Sequence, residues 1–502
     1  MPMTLADLLA GVDGERRGRW EGVTVRGIST DSRHTGDGDL FVALCGTDNH
    51  GATFAAEAAT RGASAVIVDR GHAPPTGVPA LITPDPSAAL RQAAARLYGD
   101  PSAELSLVGL TGTNGKTTVT YMVTQILAAA GLPAGYWSTN EVWSGQRRFR
   151  PALTTPMPQD IQRFLREVAE SGMRYACMEV SSHAASQGRS DGLHWRAGVV
   201  TGVTPDHLDY HQTFANYLAA KRRFLGQLPP SALLAFCADD AGARQAVAGL
   251  PSRVVSYGLH PEADLRASDV RTGPDGSSCS VWLPGSTAPR TLDLPVPGQH
   301  NVQNALAAIA VTTDLGVPSP IAIGALHTFR PASRRLHLAH IGPYLIVDDV
   351  AMNDASVGAV LTTIGEMGVS GPVVVAALRG HRGVEVNALM ARTLAFWNRT
   401  LRFSPLIATC SASAIARFSL DYRVTPAESQ AFVRAAEEGD LRVDPHDELD
   451  AAIAAGIRRL QPGGTMVLLG TFGMDDGRAI AYRLLGAEPP ETYPVPSFGG
   501  RP

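Results

Sequence analysis

The sequence predicts a three-domain α/β protein, and three observations support this fold class. Short apolar runs alternate with helical stretches along nearly the whole chain, which is the pattern of parallel sheets covered by helices. These runs fall into three groups, and 502 residues are enough for about three domains. With 44% hydrophobic and 18% charged residues, the composition is that of a globular protein with several cores.

The first group lies in residues 1–103 and predicts a small N-terminal α/β domain. The periodicity of the apolar residues predicts strands at Phe41–Leu44 and Ala65–Val68 and helices at Ala52–Thr60 and Pro86–Leu97. A polar hinge at Gly99–Glu104 follows.

The second group, in residues 104–328, predicts a doubly wound parallel sheet. The expected strands are Leu107–Leu110, Ala176–Val180, Ala197–Val203 and Ala232–Cys237, with short strands within Arg253–Pro297. The expected helices are Val119–Ala130, Pro158–Ser171, Thr213–Leu228 and Gly298–Leu315.

The third group, in residues 329–487, predicts a Rossmann-like α/β domain. Its expected elements are buried strands at Tyr344–Asp348, Val373–Ala377, Leu406–Thr409 and Met466–Gly470, with a helix at Ala451–Leu460. Residues 488–502 are rich in proline and glycine and predict a loose tail.

Composition also narrows the class of function. A formal net charge of -4 gives no reason to expect nucleic acid or an acidic membrane surface as partner. No apolar run is long enough to span a bilayer, and the N-terminus lacks the pattern of a secretion signal. The cysteines form no C-x-x-C pair, which favours free thiols in a reducing compartment: Cys45, Cys177, Cys237, Cys279 and Cys410. A cytoplasmic enzyme is the expected class.

The stretch Leu107–Thr118, LVGLTGTNGKTT, has the form of a phosphate-binding loop. Gly112 and Gly115 allow a tight turn that directs backbone N–H groups at one anion. Lys116 can neutralise phosphate charge, and the Thr117 hydroxyl can bind Mg²⁺. Leu110 stands where the strict pattern has its first glycine, so a plain strand–turn–helix is the alternative.

Two further clusters follow predicted strands. Glu179 lies in MEVSSH, at the end of a strand whose carboxyl edge faces the ligand crevice of such a sheet. His207 lies in TPDHLDYH and offers a nitrogen ligand, with Asp206 placed to orient its ring. His211 of the same run is expected at the surface. Either Glu179 or His207 alone favours a structural role, but with Thr117 they predict a metal–phosphate site.

GTNGKTT, MEVSSH and DHLDYH…YLAAK together resemble the Mur ligases, the ATP-dependent amide ligases of peptidoglycan and hence cell-wall assembly. The nearest branch adds the third amino acid to a UDP-N-acetylmuramoyl-dipeptide (MurE-like). STDSRHTGDGDLFVALCGTDNHGATF resembles its UDP-binding domain, and Thr154–Pro156, Arg189 and PGQHNVQNALAAIA match as well. The resemblance covers nearly the whole chain and weakens after residue 315.

The resemblance implies an ATP- and Mg²⁺-dependent ligase with defined sites. ATP would be held by Gly112, Thr113, Asn114, Gly115, Lys116, Thr117, Thr118, Asn301, Asn304, Arg335 and Asp348. The metal site would comprise Thr117, Glu179, His207 and Lys221, the last matching the lysine that becomes carbamylated in the family. Lys116, Lys221 and His207 are the expected catalytic residues.

The substrates implied are a small-molecule carboxylate donor and an amine acceptor, handled by a monomer. The carboxylate would bind at Thr154, Thr155, Ser181 and Arg189, and Ser29, Asn49 and His50 lie in the segment resembling the uridine site. In the family the carboxylate attacks the γ-phosphate of ATP, and the amine captures the resulting acyl phosphate.

Departures from the family pattern concentrate in the third domain. The D-Y-A-H-T-P-D-A run reads DDVAMNDA at Asp348–Ala355, and G-R-M-E reads RRLH at Arg334–His337. CSASA at Cys410–Ala414 replaces the diaminopimelate-selecting D-N-P-R motif, and GTFGM at Gly470–Met474 replaces G-K-G-H-E. In G-G-D-R-D only Gly380 and Arg382 stay in register.

These departures leave several functions open. The chain is either a ligase with a different amine acceptor, for instance in specialised metabolism, or a non-catalytic nucleotide-binding partner in a biosynthetic complex. A simple P-loop ATPase is disfavoured, since it would not need the UDP-type domain. All five residues of the catalytic pattern are present, which favours an active ligase: Lys116, Thr117, Glu179, His207 and Lys221.

Overall fold

A computed structural model describes residues 2–46, 49–381, 383–403, 405–417 and 422–488. Within this part of the chain the predicted α/β class is confirmed. Arg382 and most of the predicted tail, residues 489–502, lie outside the described residues. The chain divides into two compact units, and their bounds are Met1–Gly109, Leu132–Ala197 and Gly226–Ala232 for unit one, with Leu110–Gly131, Gly198–Leu225 and Leu233–Pro502 for unit two. The three domain boundaries stay a prediction.

Unit one contains a five-stranded sheet. Its strands lie in the order Glu15–Arg17, Ala80–Thr83, Ala65–Asp69, Asp39–Val42 and Gly27–Ser29. The first pair is antiparallel and the remaining pairs are parallel. Strands Met3–Thr4 and Thr24–Val25 form a separate antiparallel pair. Apolar side chains of this sheet are buried on both faces, which gives the N-terminal region its own core.

A second group of strands in unit one carries part of the candidate site. Arg148–Phe149, Val142–Trp143, Ala134–Trp137 and Tyr175–Glu179 are neighbours in that order, and only the last pair is parallel. The helices of unit one are Leu5–Leu8, Ala55–Thr60, Pro86–Tyr98, Pro158–Glu170 and Ser182–Ser186, with 3₁₀ turns at Ser32–His34, Gly51–Phe54 and Pro101–Ala103. Strands Ser106–Thr111 and Trp195–Val200 each begin in unit one and end in unit two.

Local sequence explains where such helices begin and end. Asp85 caps helix Pro86–Tyr98 by accepting the Ala88 N–H at 2.8 Å, and Pro86 occupies the first turn, where no amide partner is needed. The helix ends at Gly99, whose φ of 68° is the left-handed conformation that glycine adopts without strain.

Unit two contains two groups of strands. The first runs Leu233–Cys237, Arg253–Gly258, Leu265–Gly273, Gly276–Trp282 and Arg290–Leu294, parallel at first and then antiparallel. The second is a six-stranded sheet in the order His337–Ile341, Tyr344–Asp349, Thr465–Leu469, Val373–Ala377, Leu406–Thr409 and Val443–His446. All its neighbours are parallel except the first pair.

Helices cover both faces of the six-stranded sheet, each over its own apolar core, as expected for a doubly wound domain. The helices of unit two are Lys116–Ala129, Leu208–His211, Phe214–Leu225, Ala241–Val247, Gln299–Asp314, Ser319–Leu326, Asp354–Glu366, Val384–Leu401, Ala412–Ile415, Pro426–Glu438, Leu449–Arg459 and Gly477–Leu484, with a 3₁₀ turn at Phe472–Met474.

The predicted strands and helices are present, with ends that differ by a few residues. The helix after the phosphate loop begins at Lys116 rather than Val119, so Lys116, Thr117 and Thr118 lie in its first turn. Strand Trp195–Val200 ends before Val203. The Thr201 N–H still donates to Thr111 O at the end of the neighbouring strand, while the Thr201 hydroxyl donates to Asn114 O of the phosphate loop.

Candidate functional site: a phosphate loop with two lysines

The phosphate loop of unit two lies between strand Ser106–Thr111 and helix Lys116–Ala129. Gly112 and Gly115 have φ angles of 141° and 89°, a backbone conformation that residues with a side chain rarely adopt. A Cβ on Gly112 would lie 1.9 Å from Thr201 Oγ1, and one on Gly115 would lie 2.6 Å from Asn304 Oδ1. Both positions therefore require glycine, as the sequence pattern predicted.

The segment after strand Trp195–Val200 fixes the loop. Thr113 donates its N–H to Gly202 O at 2.6 Å and its hydroxyl to Thr204 O at 3.0 Å. The Tyr217 hydroxyl lies 2.9 Å from Thr113 Oγ1, and Thr201 Oγ1 donates to Asn114 O. These hydrogen bonds of loop carbonyls and side chains hold the loop in this conformation.

The amino groups of two lysines meet at one carbonyl of the loop. Lys116 Nζ donates to Gly112 O at 2.9 Å and to Thr113 O at 3.1 Å, and Lys221 Nζ donates to Gly112 O at 2.9 Å. These two are the only lysines among the 43 lysine and arginine residues of the sequence. An arginine-rich sequence thus keeps lysine at the two positions next to the phosphate loop.

Lys221 is a buried amine. Its side chain is 1% exposed and its Nζ lies 4.4 Å from the centre of the Tyr217 ring. Burial, together with the nearby charge of Lys116, lowers the pKa of Lys221 well below its ordinary value. A lysine with a lowered pKa is neutral over a wider pH range, and its neutral amine is a nucleophile. The guanidinium of arginine stays charged and does not become one.

His207 has a left-handed backbone, with φ of 51°, and immediately precedes helix Leu208–His211. Its Nε2 lies 3.9 Å from Asp206 Oδ2, too far for the hydrogen bond by which Asp206 was expected to orient the ring. Asp206 Oδ1 instead accepts the backbone N–H of His207 at 2.9 Å. The expectation that His211 lies at the surface is wrong, because its ring is buried and burial lowers its pKa.

Two adjacent arginines before strand His337–Ile341 have different contacts. Arg335 Nη2 donates to Thr117 Oγ1 at 3.2 Å, and its buried Nε has no hydrogen-bond partner among the described residues. Arg334 Nε donates to Asp348 Oδ1 at 3.0 Å. Arg335 thus contacts the first turn of helix Lys116–Ala129, whereas Asp348 is engaged by Arg334, and the ATP-binding role of both residues stays a prediction. Burial raises the pKa of neighbouring Asp349 to about 6.

The predicted asparagines of helix Gln299–Asp314 are both buried. Asn304 Oδ1 faces Gly115, since it lies only 2.6 Å from the place that a Cβ on that glycine would occupy. Asn301 Nδ2 donates to Pro297 O at 2.8 Å, which holds the start of the helix. Asn304 is therefore next to the phosphate loop, and the amide of Asn301 has a structural partner.

The residues present in unit two fit a nucleoside triphosphate with Mg²⁺. The glycine cradle admits no side chain, the first-turn amides of helix Lys116–Ala129 face an anion site, and two cations, Lys116 and Arg335, lie beside it. The Thr117 hydroxyl is the type of oxygen ligand that Mg²⁺ takes in such loops. The buried Nε of Arg335 is also suited to an added phosphate oxygen.

In unit one, Glu179 ends strand Tyr175–Glu179 and is 1% exposed. Its Oε1 accepts the Thr139 N–H at 3.0 Å and its Oε2 accepts the Thr139 hydroxyl at 2.9 Å. Glu179 belongs to unit one, while Thr117, His207 and Lys221 belong to unit two. A metal site shared by these four residues therefore stays a prediction.

The residues predicted to hold the carboxylate substrate lie together around Glu179 in unit one. Thr155 donates its hydroxyl to Glu179 O at 2.9 Å and accepts the Ser181 N–H at 3.0 Å. Arg189 Nη1 donates to Thr155 O at 2.9 Å, and Thr154 Oγ1 lies 3.1 Å from Thr139 Oγ1. Hydroxyls and a guanidinium in one cluster are suited to binding a carboxylate.

The predicted uridine residues lie in the N-terminal sheet region of unit one. Ser29 is buried and donates its hydroxyl to Asp31 O at 2.8 Å, and Asn49 is exposed. The rings of His50 and His72 stack with centroids 4.0 Å apart, and both contact the Asp69 carboxylate, at 2.7 Å and 2.5 Å.

The Asp69 cluster is a hydrogen-bonded one. His50 Nδ1 accepts the Ala52 N–H at 3.2 Å, which places the ring proton on Nε2, where it points at Asp69. A metal ion on Nε2 would move that proton to Nδ1 and so break the Ala52 contact. The geometry therefore favours an Asp69 that orients His50.

Sequence reasoning missed Thr201, Arg334, Asn353 and Thr139. Thr201 lies where the family has T-N before D-H, so its place in the motif was a usable signal. Asn353 and Ser356 form a capping box, which is readable from the sequence, but the contacts of Asn353 with distant segments are not. Arg334 stands where G-R-M-E has glycine, so the motif indicates Arg335 and gives no signal for Arg334.

Comparison with known proteins agrees with this geometry. The family patterns described as Mur ligase middle domain and Mur ligase family, catalytic domain, match residues 110–312 and 24–98. The UDP-N-acetylmuramoyl-L-alanyl-D-glutamate--2,6-diaminopimelate ligase of Streptomyces avermitilis is 33% identical over 464 residues, which cover 91% of this chain and 89% of that ligase. The chain belongs to the Mur ligase family.

Other relatives of this Mur ligase support the same family. The ligase of that name from Chlamydia trachomatis is 36% identical over 309 residues, 62% of this chain; the match spans 63% of that ligase, less than two thirds of its length. Among solved structures, MurF from Acinetobacter baumannii has a TM-score of 0.71 at 21% identity, with coverage of 97% of this chain and 99% of that one. MurF from Thermotoga maritima in complex with ADP has a TM-score of 0.67 at 16% identity, covering 92% and 98%. These structures share the fold.

Among the described residues, no helix is both long enough and apolar enough to cross a bilayer. The five cysteines are all free, as predicted.

Proposed function

We propose that this Mur ligase is an ATP-dependent carboxylate–amine ligase. It joins an amine, such as an amino acid, to a UDP-muramoyl-peptide or a related carboxylate through an acyl phosphate. The observation that carries the proposal is the convergence of Lys116 and Lys221 on the phosphate loop, with Arg335 on Thr117. The donor class follows the names of the Streptomyces and Chlamydia relatives. Their acceptor is not carried over, because the D-N-P-R motif is absent.

The roles follow from the charges in the reaction. A carboxylate oxygen must attack the γ-phosphorus, so two anions have to approach each other. Lys116, Arg335 and the first-turn amides of helix Lys116–Ala129 neutralise phosphate charge. Bound Mg²⁺ would supply further charge neutralisation, with Thr117, His207 and Glu179 as its proposed ligands and the Gly112–Thr118 loop, Asn301, Asn304 and Asp348 as proposed ATP contacts.

In unit one the substrate residues keep their predicted roles. Thr154, Thr155, Ser181 and Arg189 bind the donor carboxylate, and their clustering around Glu179 supports this. Ser29, Asn49 and His50 bind the uridine side of the donor. We retain three domains: residues 1–103 bind the donor substrate, residues 104–328 bind ATP, and residues 329–487 form the C-terminal Rossmann-like ligase domain. A monomeric, cytoplasmic protein with no nucleic-acid partner stays a prediction.

Carbamylation of Lys221 fits its environment. The neutral amine adds to CO₂ and releases one proton, which converts the side chain into a carboxylate able to bind a second Mg²⁺. The lowered pKa of Lys221 favours the neutral form that reacts. Arginine cannot undergo this reaction, which accounts for lysine at this position of an arginine-rich chain.

Carbamylation is testable by ¹³C NMR with ¹³CO₂, because the only side-chain amines are those of Lys116 and Lys221. We expect a carbamate resonance in wild type and in Lys116→Arg that is absent in Lys221→Arg. A resonance that survives Lys221→Arg would assign it to another amine and contradict the proposal.

The ligase activity is tested by phosphate release with ATP, Mg²⁺, candidate carboxylates and single amines. Release that requires both partners supports ligation. Release with neither identifies an ATPase, and ATP binding without release under any pairing identifies a non-catalytic partner. Lys116→Ala should abolish the signal, while Arg19→Ala, at an arginine whose side chain is 84% exposed, should retain it.

A further inference from the structure

Asn353 joins three segments of unit two through one side chain. It lies after strand Tyr344–Asp349 and caps helix Asp354–Glu366, where its Oδ1 accepts the Ser356 N–H at 2.9 Å. Its Oδ1 also accepts from Asn114 Nδ2 of the phosphate loop at 3.2 Å. Its Nδ2 donates to Asp206 Oδ2, next to His207, at 3.2 Å.

The orientation of this amide follows from its neighbours. The Ser356 backbone N–H can only donate, so it must face the Asn353 oxygen, which turns the amide nitrogen toward the Asp206 carboxylate. Asn353 is 2% exposed and Asp206 is 4% exposed. A carboxylate this deeply buried needs donors, and Asn353 supplies one that water does not replace readily.

The amide of Asn353 satisfies all these contacts at once. The position needs an acceptor for Ser356 and Asn114 and a donor for Asp206, and a carboxylate lacks the donor while an apolar group lacks both. In the D-Y-A-H-T-P-D-A pattern the residue at 353 is proline, which has no side-chain donor. The contact thus belongs to this chain rather than to the motif.

We propose that Asn353 is a positioning residue that holds the phosphate loop in its nucleotide-binding conformation by tying Asn114 and Asp206 to helix Asp354–Glu366. The proposal rests on the proposed function in one respect, that the loop binds ATP. Asn353 itself need not touch the nucleotide. It acts through Asn114, which lies between Gly112 and Lys116 in the loop, and through Asp206.

An exchange of the two partners tests this role. Asn353→Asp keeps the size and the helix cap but sets two buried carboxylates against each other. Asp206→Asn leaves two amides that still pair. The double variant Asp206→Asn with Asn353→Asp restores one donor and one acceptor in reversed positions.

The readouts are the Kd of Mg-ATP, by titration with a fluorescent ATP analogue, and the Tm without nucleotide. We expect Asn353→Asp to weaken Mg-ATP binding by about tenfold or more, and the double variant to recover at least about fivefold of that loss, as for other side chains in direct contact. Thr425→Ala is the matched control. It removes a capping box of the same type from helix Pro426–Glu438, and in the described part of the chain Thr425 makes no hydrogen bond to the phosphate loop.

The outcomes separate this proposal from the proposed function. Recovery in the double variant, with Thr425→Ala lowering Tm but leaving the Kd unchanged, supports the positioning role, whether or not ligation is found. Wild-type affinity in Asn353→Asp, or a loss of affinity that only follows the loss of Tm as in Thr425→Ala, overturns it while ATP binding by wild type still stands. Wild type that binds no Mg-ATP overturns both.

Discussion

The same substitution at the neighbouring arginines of unit two, Arg334 and Arg335, should affect different properties: stability at Arg334 and Mg-ATP affinity at Arg335. Arg334 is buried, and it donates to Asp348 Oδ1 at 3.0 Å, to Asp475 Oδ1 at 2.5 Å and to Gly470 O at 2.5 Å. Asp348 is 1% exposed. Arg334→Met would leave that carboxylate buried without its cation, which costs about 3–5 kcal/mol.

Arg335→Met is the matched variant, since it removes the same group one residue away. Arg335 donates to Thr117 and carries no buried ion pair of the Arg334 kind among the described residues. We expect its loss of unfolding free energy to be smaller than that of Arg334→Met, because the charge of Arg335 acts on buried Asp349 without a direct ion pair, and its Mg-ATP affinity to fall, because a cation is lost beside the phosphate loop.

The assay is urea unfolding of full-length protein, followed by circular dichroism, alongside Mg-ATP titration. Arg334→Met should lower the stability of the transition that includes the six-stranded sheet by about 3–5 kcal/mol. Replacing Asp348 with Asn in the Arg334→Met background should recover part of this loss, because the uncompensated charge is gone. If both single variants unfold alike and bind Mg-ATP alike, the division of roles between the two arginines is refuted.

Other predictions concern the loop, pH and Glu179. Gly112→Ala should abolish Mg-ATP binding in a titration, because its Cβ would lie 1.9 Å from Thr201 Oγ1; retained affinity would contradict the cradle. Burial lowers the pKa of His337 to about 4, so the folded state binds fewer protons than the unfolded state between pH 6.5 and 4. Stability should fall by up to about 3 kcal/mol as pH drops through that window, with a flatter urea-unfolding profile in His337→Gln. Thr139→Val removes a hydroxyl donor to buried Glu179 and should lower the kcat of ligation while the KM for ATP changes little. An unchanged kcat would contradict a catalytic role of Glu179.

Sequence patterns predicted the fold well where local rules govern it. Apolar runs such as Val373–Ala377 become buried strands because few other conformations bury β-branched residues so densely. The phosphate loop was predictable because its backbone conformation requires glycine, as the φ of 141° at Gly112 shows. Short strands such as Val142–Trp143 were not, although their partners lie nearby in the chain, because two residues are too few to show the alternating pattern of a strand.

The candidate site was predictable in composition more than in contacts. A motif indicates that Asp348 belongs near the site, but not that Arg334 engages it, since Arg334 stands where the G-R-M-E pattern has glycine. In the same way His211 was expected at the surface, because helix periodicity over four residues cannot show what covers the ring. Such errors arise where tertiary packing, rather than local pattern, decides a side chain's environment.

Arginine and lysine have different roles in this chain: the arginines supply positive charge, and the two lysines supply an amine. Arginine serves surface pairs such as Arg166 with Glu104 and buried pairs such as Arg334 with Asp348. If the phosphate loop needed positive charge alone, arginine would meet that need at positions 116 and 221 as it does at 335. Lys116 fits a narrow loop in which its single ammonium reaches two carbonyls, and Lys221 is buried where a permanently charged guanidinium would remain unfavourable. The two lysines therefore mark the positions where a small or a neutral amine is required, and these positions adjoin the same carbonyl of Gly112.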